Sequence, residues 1–387
     1  RAEGTMIDVL QKMIDVFHRA WSWVGQAEEA EMTDRAPTLS DVAALAGVSY
    51  ATADRVVNAR GGVAEKSARR VRAAVRQLGY IRNVAAANLS QRRIYRFAVV
   101  LPAGPNAFFA HMRDLLAEAQ DRLAADRVAL SIIEVPAFDA GALAARLMAL
   151  AEDDLDGLAL VGTDDAEVLT ALAALRARGV AVVSLVSDLP DAARDAYVGI
   201  DNAVAGRTAA RMIGLGHGGR AGRVLPIVGA VSAPDHAQRL NGLRAVLDQH
   251  YPTLTLAPEI EGRDRHDEVE TQLTARLATD PAISAIYSIG AGNAGLIRVL
   301  EQWPGDRPRP FVVVHELVAH TRAALERGVI DLIIDQRPGD EIALALGRLR
   351  EIADRTTPTR AAEPVVPALY VPENLPPATA ASLAKET

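Results

Sequence analysis

The stretch LSDVAALAGVSYATADRVVNARG, residues 39–61, has the pattern of two short helices with a break between them. Apolar residues recur at helical spacing on both sides of Gly47, where the first helix is expected to stop. Ser40 and Ser49 stand where N-caps are expected, because a side-chain oxygen there can accept an unpaired backbone N–H. The sequence therefore predicts three short helices, at 40–46, 50–58 and 65–78.

Positive charge is concentrated around these helices. Residues 38–93 contain ten lysine and arginine residues against three acidic ones, a local net charge of +7, although the whole chain carries −7. The other residues must therefore carry −14. A small basic module on a large acidic body is typical of a polyanion-binding domain joined to a domain with another task. Chance clustering on a solvated helix face is the alternative explanation of the charge alone.

Two helices joined by a tight turn, inside a basic three-helix unit, form the helix-turn-helix arrangement. The second helix of this arrangement enters the major groove with its N-terminal residues toward the base edges. Ser49, Tyr50, Thr52 and Arg55 give that part of the helix a polar surface. Arginine reads guanine, and hydroxyl groups and helix N-termini hold phosphates. The pattern therefore predicts a DNA-binding domain.

From residue 96 onward, continuous apolar runs alternate with helical segments. The runs RFAVVLP at 96–102 and FVVVHE at 311–316 are examples, and neither alternates polar with apolar residues. Such runs are typical of parallel strands that are covered on both faces. The number of strand–helix units exceeds what one sheet holds, so we expect an α/β domain of two doubly wound, parallel-sheet lobes. Ligands then bind at the carboxyl ends of the strands, between the lobes.

Composition narrows the class of protein. The chain has no cysteine, which excludes disulfides, cysteine nucleophiles and thiolate zinc sites. No apolar run approaches the roughly 20 residues of a membrane helix, and the N-terminus lacks a secretory pattern. We therefore expect a cytoplasmic protein without a membrane partner. Residues 1–37 contain an amphipathic helix, which is either an extension outside the functional fold or a partner-binding helix.

The segments TLSDVAALAGVSYATADRVVN and VRAAVRQLGYIRNVAAANL resemble the start of the lac-repressor (LacI/GalR) family of bacterial transcription regulators. The rest resembles that family's periplasmic-binding-protein-like sensor, with LGHGGRAGRV, HAQRLNGL and ENLP in the expected order. The resemblance covers 38 to about 377. It implies a homodimeric, ligand-responsive DNA-binding transcription regulator, a repressor of sugar or related carbon-source genes, which binds a palindromic operator and a sugar-like effector.

The resemblance also implies domain limits and DNA contacts. The expected domains are an N-terminal extension at 1–37, a DNA-binding head at 38–82, a hinge helix and linker at 83–93, a two-lobed effector domain at 94–377 and a tail at 378–387. Tyr50, Ala51 and Arg55 stand where the family reads bases, Ser49, Thr52 and Asn58 where it contacts the DNA backbone, and Leu89 where a leucine wedges into the minor groove. This sequence departs from the family at two positions. Asp54 replaces the small polar residue that usually faces a DNA phosphate, and Arg82 replaces the proline that commonly precedes the hinge helix.

The segment NAFF at 106–109 follows the first strand and resembles the sugar-stacking segment of ribose-binding proteins. Phenylalanine rings stack on the apolar face of a sugar, and carboxylate, guanidinium and amide groups pair with its hydroxyl groups. Core packing of the phenylalanines and a surface ion pair of the arginine are the alternatives. The resemblance implies further effector-binding residues at strand ends or in loops that match the family's hydroxyl-binding positions, and the full predicted set is Asn106, Phe108, Phe109, Asp164, Asp165, Arg239, Asn293, Glu316 and Gln336.

Two motifs favour other functions less well. GAGNAG at 290–295 follows a strand and opens a helix, as in Rossmann dinucleotide sites, with Glu316 as the acid. It lies in one of the last units, so an NAD-linked oxidoreductase is kept as the alternative. HELVAH at 315–320 resembles a zinc-protease motif, but its histidines are five residues apart and do not share a helical face. We therefore predict no enzyme, no metal and no cofactor. A binding protein without a DNA function is disfavoured by the basic head.

Overall fold

The computed structural model describes residues 37–58, 61–80, 93–290, 292–305, 307–354 and 364–377. The chain divides into two compact units, Arg1–Ala87 and Asn88–Thr387. The predicted N-terminal amphipathic helix, Leu89 with nearly all of the hinge segment, and the tail at 378–387 lie outside the described residues.

The described part of the first unit is a bundle of three helices. They are α1 (Leu39–Ala46), α2 (Tyr50–Val57) and α3 (Glu65–Leu78). Val42, Ala53 and Val71, one from each helix, are fully buried where the three meet. The predicted helix-turn-helix head is confirmed.

The cap of α1 differs from the prediction. Thr38, and not Ser40, is the N-cap: its hydroxyl accepts the N–H of Asp41, and the Asp41 carboxylate accepts the Thr38 N–H at 2.7 Å. This reciprocal pair is a capping box, which satisfies two of the N–H groups left unpaired at a helix start. The prediction was wrong because a threonine two positions earlier already provides the cap.

The second unit begins with a lobe built on a five-stranded parallel sheet, in the order β2-β1-β3-β4-β5. Apolar clusters cover both faces of the sheet. The elements of this first lobe are β1 (Tyr95–Ala103), α4 (Ala107–Ala125), β2 (Val128–Pro136), α5 (Ala140–Leu150), β3 (Gly157–Leu160), α6 (Ala166–Ala177), β4 (Ala181–Leu185) and β5 (Ala196–Val198).

The second lobe has the sheet order β12-β11-β10-β9-β6-β7, with β8 also beside β6, and β12 is antiparallel to β11. Two apolar clusters cover its faces. Its elements are α7 (Asn202–His217), β6 (Gly222–Val228), α8 (Pro234–His250), β7 (Leu254–Leu256), β8 (Ile260–Glu261), α9 (His266–Thr279), β9 (Ile283–Ser288), α10 (Asn293–Glu301), β10 (Phe311–His315), α11 (Ala319–Glu326), β11 (Leu332–Asp335) and β12 (Ala368–Tyr370). The prediction of two doubly wound lobes is confirmed.

The chain passes back and forth between the lobes. It crosses from β5 into α7, and after β11 it returns as α12 (Pro338–Ala353), which packs in the core of the first lobe beside Tyr95 and Phe97. At Val365 it is again in the second lobe, where it pairs with Ile200. Each lobe is therefore assembled from separate parts of the sequence. None of the described helices has the length and apolar character that a membrane span requires.

Candidate functional site

Helix α2 exposes the side chains that were expected to read bases. Tyr50 is 59% exposed, and Ala51 and Arg55 are exposed as well, whereas Ala53 on the opposite side is fully buried. Ala51 and Arg55 are four residues apart, so they lie on one face of the helix. Helix α2 therefore exposes the face that carries Ala51 and Arg55, while its apolar face packs against the other two helices of the first unit.

Residues predicted to contact the DNA backbone are used in closing the helix ends. The Ser49 hydroxyl accepts the N–H of Thr52 at 3.2 Å, and the two hydroxyl oxygens are 2.8 Å apart. At the other end, the Asn58 side-chain amide donates to Asp54 Oδ1 at 2.6 Å. Asp54, the departure from the family pattern, therefore holds Asn58 in place.

The turn between α1 and α2 is fixed from α3. Gly47 has a left-handed φ of 57°, and Arg70 Nη2 donates to its carbonyl oxygen at 2.9 Å. A Cβ on Gly47 would lie 2.3 Å from that nitrogen. The left-handed backbone therefore favours glycine, while an added Cβ would displace only the end of the Arg70 side chain.

A cavity of about 330 Å³ lies between the two lobes of the second unit. It is at the carboxyl ends of the strands, where parallel sheets place their ligand sites. Asp164 is exposed and is not among the lining residues. The other predicted effector-binding residues line the cavity: Asn106, Phe108, Phe109, Asp165, Arg239, Asn293, Glu316 and Gln336.

On the first-lobe side, Asn106 is the N-cap of α4. Its Oδ1 accepts the N–H of Phe108 at 3.0 Å, and its Nδ2 donates across the cleft to Asp264 Oδ2 at 2.8 Å. The rings of Phe108 and Phe109 lie 5.2 Å apart, and Phe108 is only 5% exposed. Phe109 is the more accessible ring. Asp165 is likewise an N-cap, of α6, and accepts the N–H of Glu167.

On the second-lobe side, Arg239 is 2% exposed and anchored inside the protein. Its Nε donates to Asn202 Oδ1 and its Nη1 to the carbonyl oxygen of Ile289, both at 2.8 Å. Its Nη2 has no hydrogen-bond partner and lies 4.0 Å from Asp235 Oδ2. One nitrogen of the guanidinium group is therefore left for a ligand.

Two glycines place Arg239 at the cleft. A Cβ on Gly206 in α7 would lie 1.9 Å from the backbone oxygen of Arg239, and a Cβ on Gly242 in α8 would lie 2.2 Å from the backbone oxygen of Ala203. The backbones of α7 and α8 are therefore in direct contact at both points. Side chains larger than hydrogen would separate the helices and move the arginine.

Glu316 and Gln336 follow neighbouring strands and meet at the floor of the cleft. Gln336 Nε2 donates to Glu316 Oε1 at 2.5 Å, while Glu316 Oε2 and Gln336 Oε1 have no partner. Burial, with a smaller contribution from Asp335, raises the pKa of Glu316 to about 8. The carboxyl group is therefore mostly protonated at neutral pH and can donate a hydrogen bond through Oε2.

Three glycines of GAGNAG have structural roles of their own. A Cβ on Gly290 would lie 2.8 Å from the imidazole of His236, so the ring occupies the space over this glycine. Gly292 has φ 96° at the start of α10, and a Cβ on Gly295 would lie 2.0 Å from the backbone oxygen of His266. The glycines accommodate a histidine, a turn and a close helix contact.

Asn293 and His315 are both bound within the protein. Asn293 accepts the Ser288 hydroxyl at 2.6 Å and donates to the backbone oxygen of His315 at 3.1 Å, and His315 Nε2 lies 2.7 Å from the Tyr287 hydroxyl. Burial lowers the pKa of His315 far below its usual value. Within the described residues no group of side chains could hold a metal ion. The zinc-protease reading of HELVAH therefore has no structural support.

Sequence reasoning missed several residues that line the cleft: Phe138, Ser187, Asp235, His236, Asp264, His266 and His320. Phe138 has φ 57° and is 46% exposed, and its ring tip lies 3.1 Å from where a Cβ on Gly229 of the second lobe would be. Asp235 and His236 lie one helical turn before Arg239, so their position relative to the predicted Arg239 could have indicated that they also line the cleft. The left-handed backbone of Phe138 and Asp264 has no marker in the sequence.

Polar atoms without partners converge on this cleft. In the described part of the chain, some buried side-chain nitrogen and oxygen atoms have no hydrogen-bond partner. Five of these atoms belong to residues that line the cleft: Ser187 Oγ, Arg239 Nη2, His266 Nδ1, Glu316 Oε2 and Gln336 Oε1. A buried polar atom without a partner costs about 1–3 kcal/mol. A ligand rich in hydroxyl groups would recover that cost, because each hydroxyl both donates and accepts.

The two units match two protein families. The family described as "Periplasmic binding protein domain" matches residues 97–355, more than half of the chain, and "Bacterial regulatory proteins, lacI family" matches residues 38–83. These limits follow the division between the three-helix head and the two-lobed domain.

Curated relatives are transcription regulators. The chain is 26% identical over 214 residues to the HTH-type transcriptional regulator DegA of Bacillus subtilis, covering 55% of this chain and 61% of DegA. It is 37% identical over 92 residues to catabolite control protein A of Streptococcus mutans, covering 24% of this chain and 26% of that protein. The matched stretch is thus about three-fifths of DegA and a quarter of the other protein.

Solved structures share the two-lobed fold. A glucose-galactose binding protein from Geobacillus stearothermophilus has a TM-score of 0.66 at 20% identity, covering 73% of this chain and 99% of that one. A solute binding protein from Burkholderia graminis in complex with D-arabinose has a TM-score of 0.65 at 20% identity, covering 72% of this chain and 96% of that one. At this identity the likeness shows the fold alone.

Proposed function

Because the chain belongs to the lacI family of bacterial regulatory proteins, and joins that family's DNA-binding domain to a periplasmic binding protein domain, we propose that it is a ligand-responsive transcription regulator. In this proposal α2 reads operator DNA, and the cleft between the lobes binds an effector rich in hydroxyl groups. The observation that carries the effector part is the set of five buried, unpaired polar atoms that line the cleft. The exposed face of α2 supports the DNA part.

The finer features of the proposal follow from the family. The protein acts in the cytoplasm as a homodimer on a palindromic operator, since a helix-turn-helix dimer reads two half-sites. It represses sugar or related carbon-source genes. The effector shifts the population between open and closed lobes, and this difference is linked to DNA affinity. Light scattering of the purified chain, alone and with operator DNA, measures its oligomeric state. A chain that binds operator DNA as a monomer would contradict the proposed homodimer.

The DNA part is tested with an operator selected from random sequence. Arg55→Ala should lower operator affinity by about 10-fold or more and lower non-specific affinity far less, because a base contact is worth roughly 1–3 kcal/mol. Arg69→Ala, which removes the same charge from exposed α3, is the matched control and should lower both affinities together. An unchanged ratio of specific to non-specific affinity for Arg55→Ala, at fixed salt, rules out α2 as the reading helix.

The effector part is tested by calorimetry with sugars, NAD and nucleosides. Sugars should bind, and Arg239→Ala should abolish their binding. The oxidoreductase alternative predicts instead tight NAD binding that is lost on replacing Gly292 and is insensitive to Arg239→Ala. If NAD binds tightly, and if this binding responds to the two substitutions as just described, the cleft is a cofactor site and the proposed effector site is wrong.

A further inference from the structure

Two of the three nitrogens of the Arg239 guanidinium group are already bound inside the protein, which prevents the paired use of Nε and Nη2 by which arginine can hold an anion. Carboxylate and phosphate groups are held most specifically by two guanidinium nitrogens at once. In Arg239, Nε is bound to Asn202 and Nη1 to Ile289, and only Nη2 is without a partner. Because the one N–H of Nε is taken, Nη2 donates to a ligand without it, which suits a hydroxyl or carbonyl oxygen.

Asp235 further reduces the attraction of the site for anions. Its carboxylate lies 4.0 Å from Arg239 Nη2 and 3.6 Å from His236 Nε2. It therefore offsets the positive charge of the arginine on the side that faces the cleft. An anionic ligand at Nη2 would also lie close to this carboxylate and be repelled by it.

The other lining residues add negative charge. Among the described lining residues there is no lysine, and Arg239 is the one arginine. Burial lowers the pKa of His320 to about 4, so this histidine is neutral near pH 7. The acidic lining residues that add this charge are Asp139, Asp165, Asp235 and Asp264, whereas Glu316 is mostly protonated at neutral pH.

From this geometry we propose that the cleft selects an uncharged polyhydroxylated effector, of the class of neutral monosaccharides, and rejects sugar acids and sugar phosphates. The proposal rests on the proposed function and narrows its ligand class. Desolvating a carboxylate or phosphate in this cleft is not repaid, because the donors that would compensate it are already bound or lie beside acids. Hydroxyl groups meet single donors and single acceptors, which the five unpaired atoms supply.

The test compares neutral sugars with their anionic derivatives, which carry a carboxylate or a phosphate group. Binding to the full chain is measured by calorimetry at neutral pH for D-galactose with D-galacturonate, D-arabinose with D-arabinonate, and D-glucose with D-glucose 6-phosphate. In each pair that binds, the neutral form should bind about 100-fold more tightly, as expected when a buried charge is left uncompensated. An anionic form that binds as tightly as its neutral partner overturns the proposal.

A charge-neutralising variant tests the cause of the selection. Asp235→Asn removes the carboxylate beside Arg239 Nη2 and should lower the neutral-to-anionic affinity ratio by about 10-fold. Asp248→Asn is the matched control: it removes the same charge from the exposed face of α8, 13 residues or about 20 Å further along the helix, and should leave the ratio unchanged. Equal ratios in both variants would show that Asp235 does not exclude anions.

Failure of this inference differs from failure of the proposed function. If no sugar of either charge binds, the sugar effector itself is wrong and the inference falls with it. If anionic sugars bind and neutral ones do not, the regulator function stands and the inference alone is overturned. Thermal unfolding of each variant without ligand establishes that a lost affinity does not come from a lost fold.

Discussion

The two sides of the cleft are built in different ways. The first lobe contributes rings, with Phe109 half-buried and Phe138 46% exposed at the rim. The second lobe contributes buried polar groups, with Arg239 2% and Glu316 7% exposed and both bound to neighbouring groups. The first-lobe side therefore provides mainly shape and apolar contact, with Ser187 as its unpaired polar group, while the second-lobe side provides most of the hydrogen bonds, with geometry fixed in advance. We expect substitutions on the second-lobe side to affect both folding and binding, and those on the first-lobe side to affect binding with little loss of stability.

The largest effect is expected at Arg239. Arg239→Ala leaves the side-chain oxygen of Asn202 and the backbone oxygen of Ile289 buried without a donor, at about 1–3 kcal/mol each. We expect the free energy of unfolding to fall by about 2–5 kcal/mol and sugar binding to be lost. Chemical denaturation and calorimetry measure the two effects. A fully stable variant would show that the second-lobe side is not held by this network.

A smaller effect is expected where the two helices touch. Gly206→Ala places a methyl group 1.9 Å from the backbone oxygen of Arg239, so α7 and α8 must separate. Overpacking of this kind costs about 1–3 kcal/mol. Gly141→Ala in α5 of the first lobe is the control, since its Cβ would lie 3.6 Å from the closest atom and alanine favours helices. Equal melting temperatures for the two variants would remove the contrast between the lobes.

The pH dependence of binding should report Glu316. The groups that act on its carboxyl are Asp335, Gln336 and Arg239, and burial outweighs them to raise the pKa to about 8. Because the protonated form donates to the ligand, affinity should fall by about 10-fold per pH unit above pH 8. Glu316→Gln keeps a hydrogen-bond donor at the same place, so its affinity for the ligand should be the same below and above pH 8. A wild-type affinity that rises with pH would contradict the assignment of the proton.

The same shift affects stability. Since the folded state holds the Glu316 proton more tightly than the unfolded state, this carboxyl costs stability progressively as pH rises from its unfolded pKa, near 4.5, to about 8. Glu316→Gln removes this cost, so the variant should gain stability relative to wild type over that range. Denaturation at low and high pH measures the difference. Burial and, next, the charge of Glu316 raise the pKa of Glu341, so the difference between the two proteins includes the response of Glu341 to the loss of that charge.

The smallest effect should come from the first-lobe rim. Phe138→Gly relieves a left-handed φ of 57° and should raise the free energy of unfolding by about 0.5–1 kcal/mol, while sugar affinity falls several-fold through loss of the ring. Phe138→Ala removes the ring but keeps the strain, which separates the two contributions. A glycine variant that loses stability would show that the ring is held by packing and not only by its backbone.

How far the sequence determined these features depends on the type of signal. The long apolar runs identified most strands, because a buried parallel strand has no polar face. Helix α9 was not predicted, since its many charged residues hide the apolar positions Val269, Leu273 and Leu277. The three-residue strands β7 and β12 are too short for any periodicity to appear. Their pairing depends on neighbouring strands.

The same distinction applies to the site. Arg239, Glu316 and Gln336 could be predicted because the family resemblance implies them, at strand ends or on the helix that follows one. Asp264 could not, because it enters the cleft from a loop residue with φ 58° that pairs with Asn106, 158 positions away in sequence. The head followed the sequence closely, since its helices are local and each cap lies within a few residues. The contacts expected at Leu89 stay a prediction.

The return of α12 to the first lobe has a consequence for synthesis of the protein. Ile342, Ala345 and Leu349 complete an apolar core whose other members, including Tyr95 and Val183, precede residue 199. At roughly 5–20 residues per second, the ribosome needs on the order of ten to thirty seconds to make the intervening chain. During that interval one face of the first-lobe sheet is covered by α4 and lacks the part of its cover that α12 provides. The nascent protein is therefore expected to depend on chaperones until α12 emerges, and truncation before residue 338 should yield aggregates instead of a folded lobe.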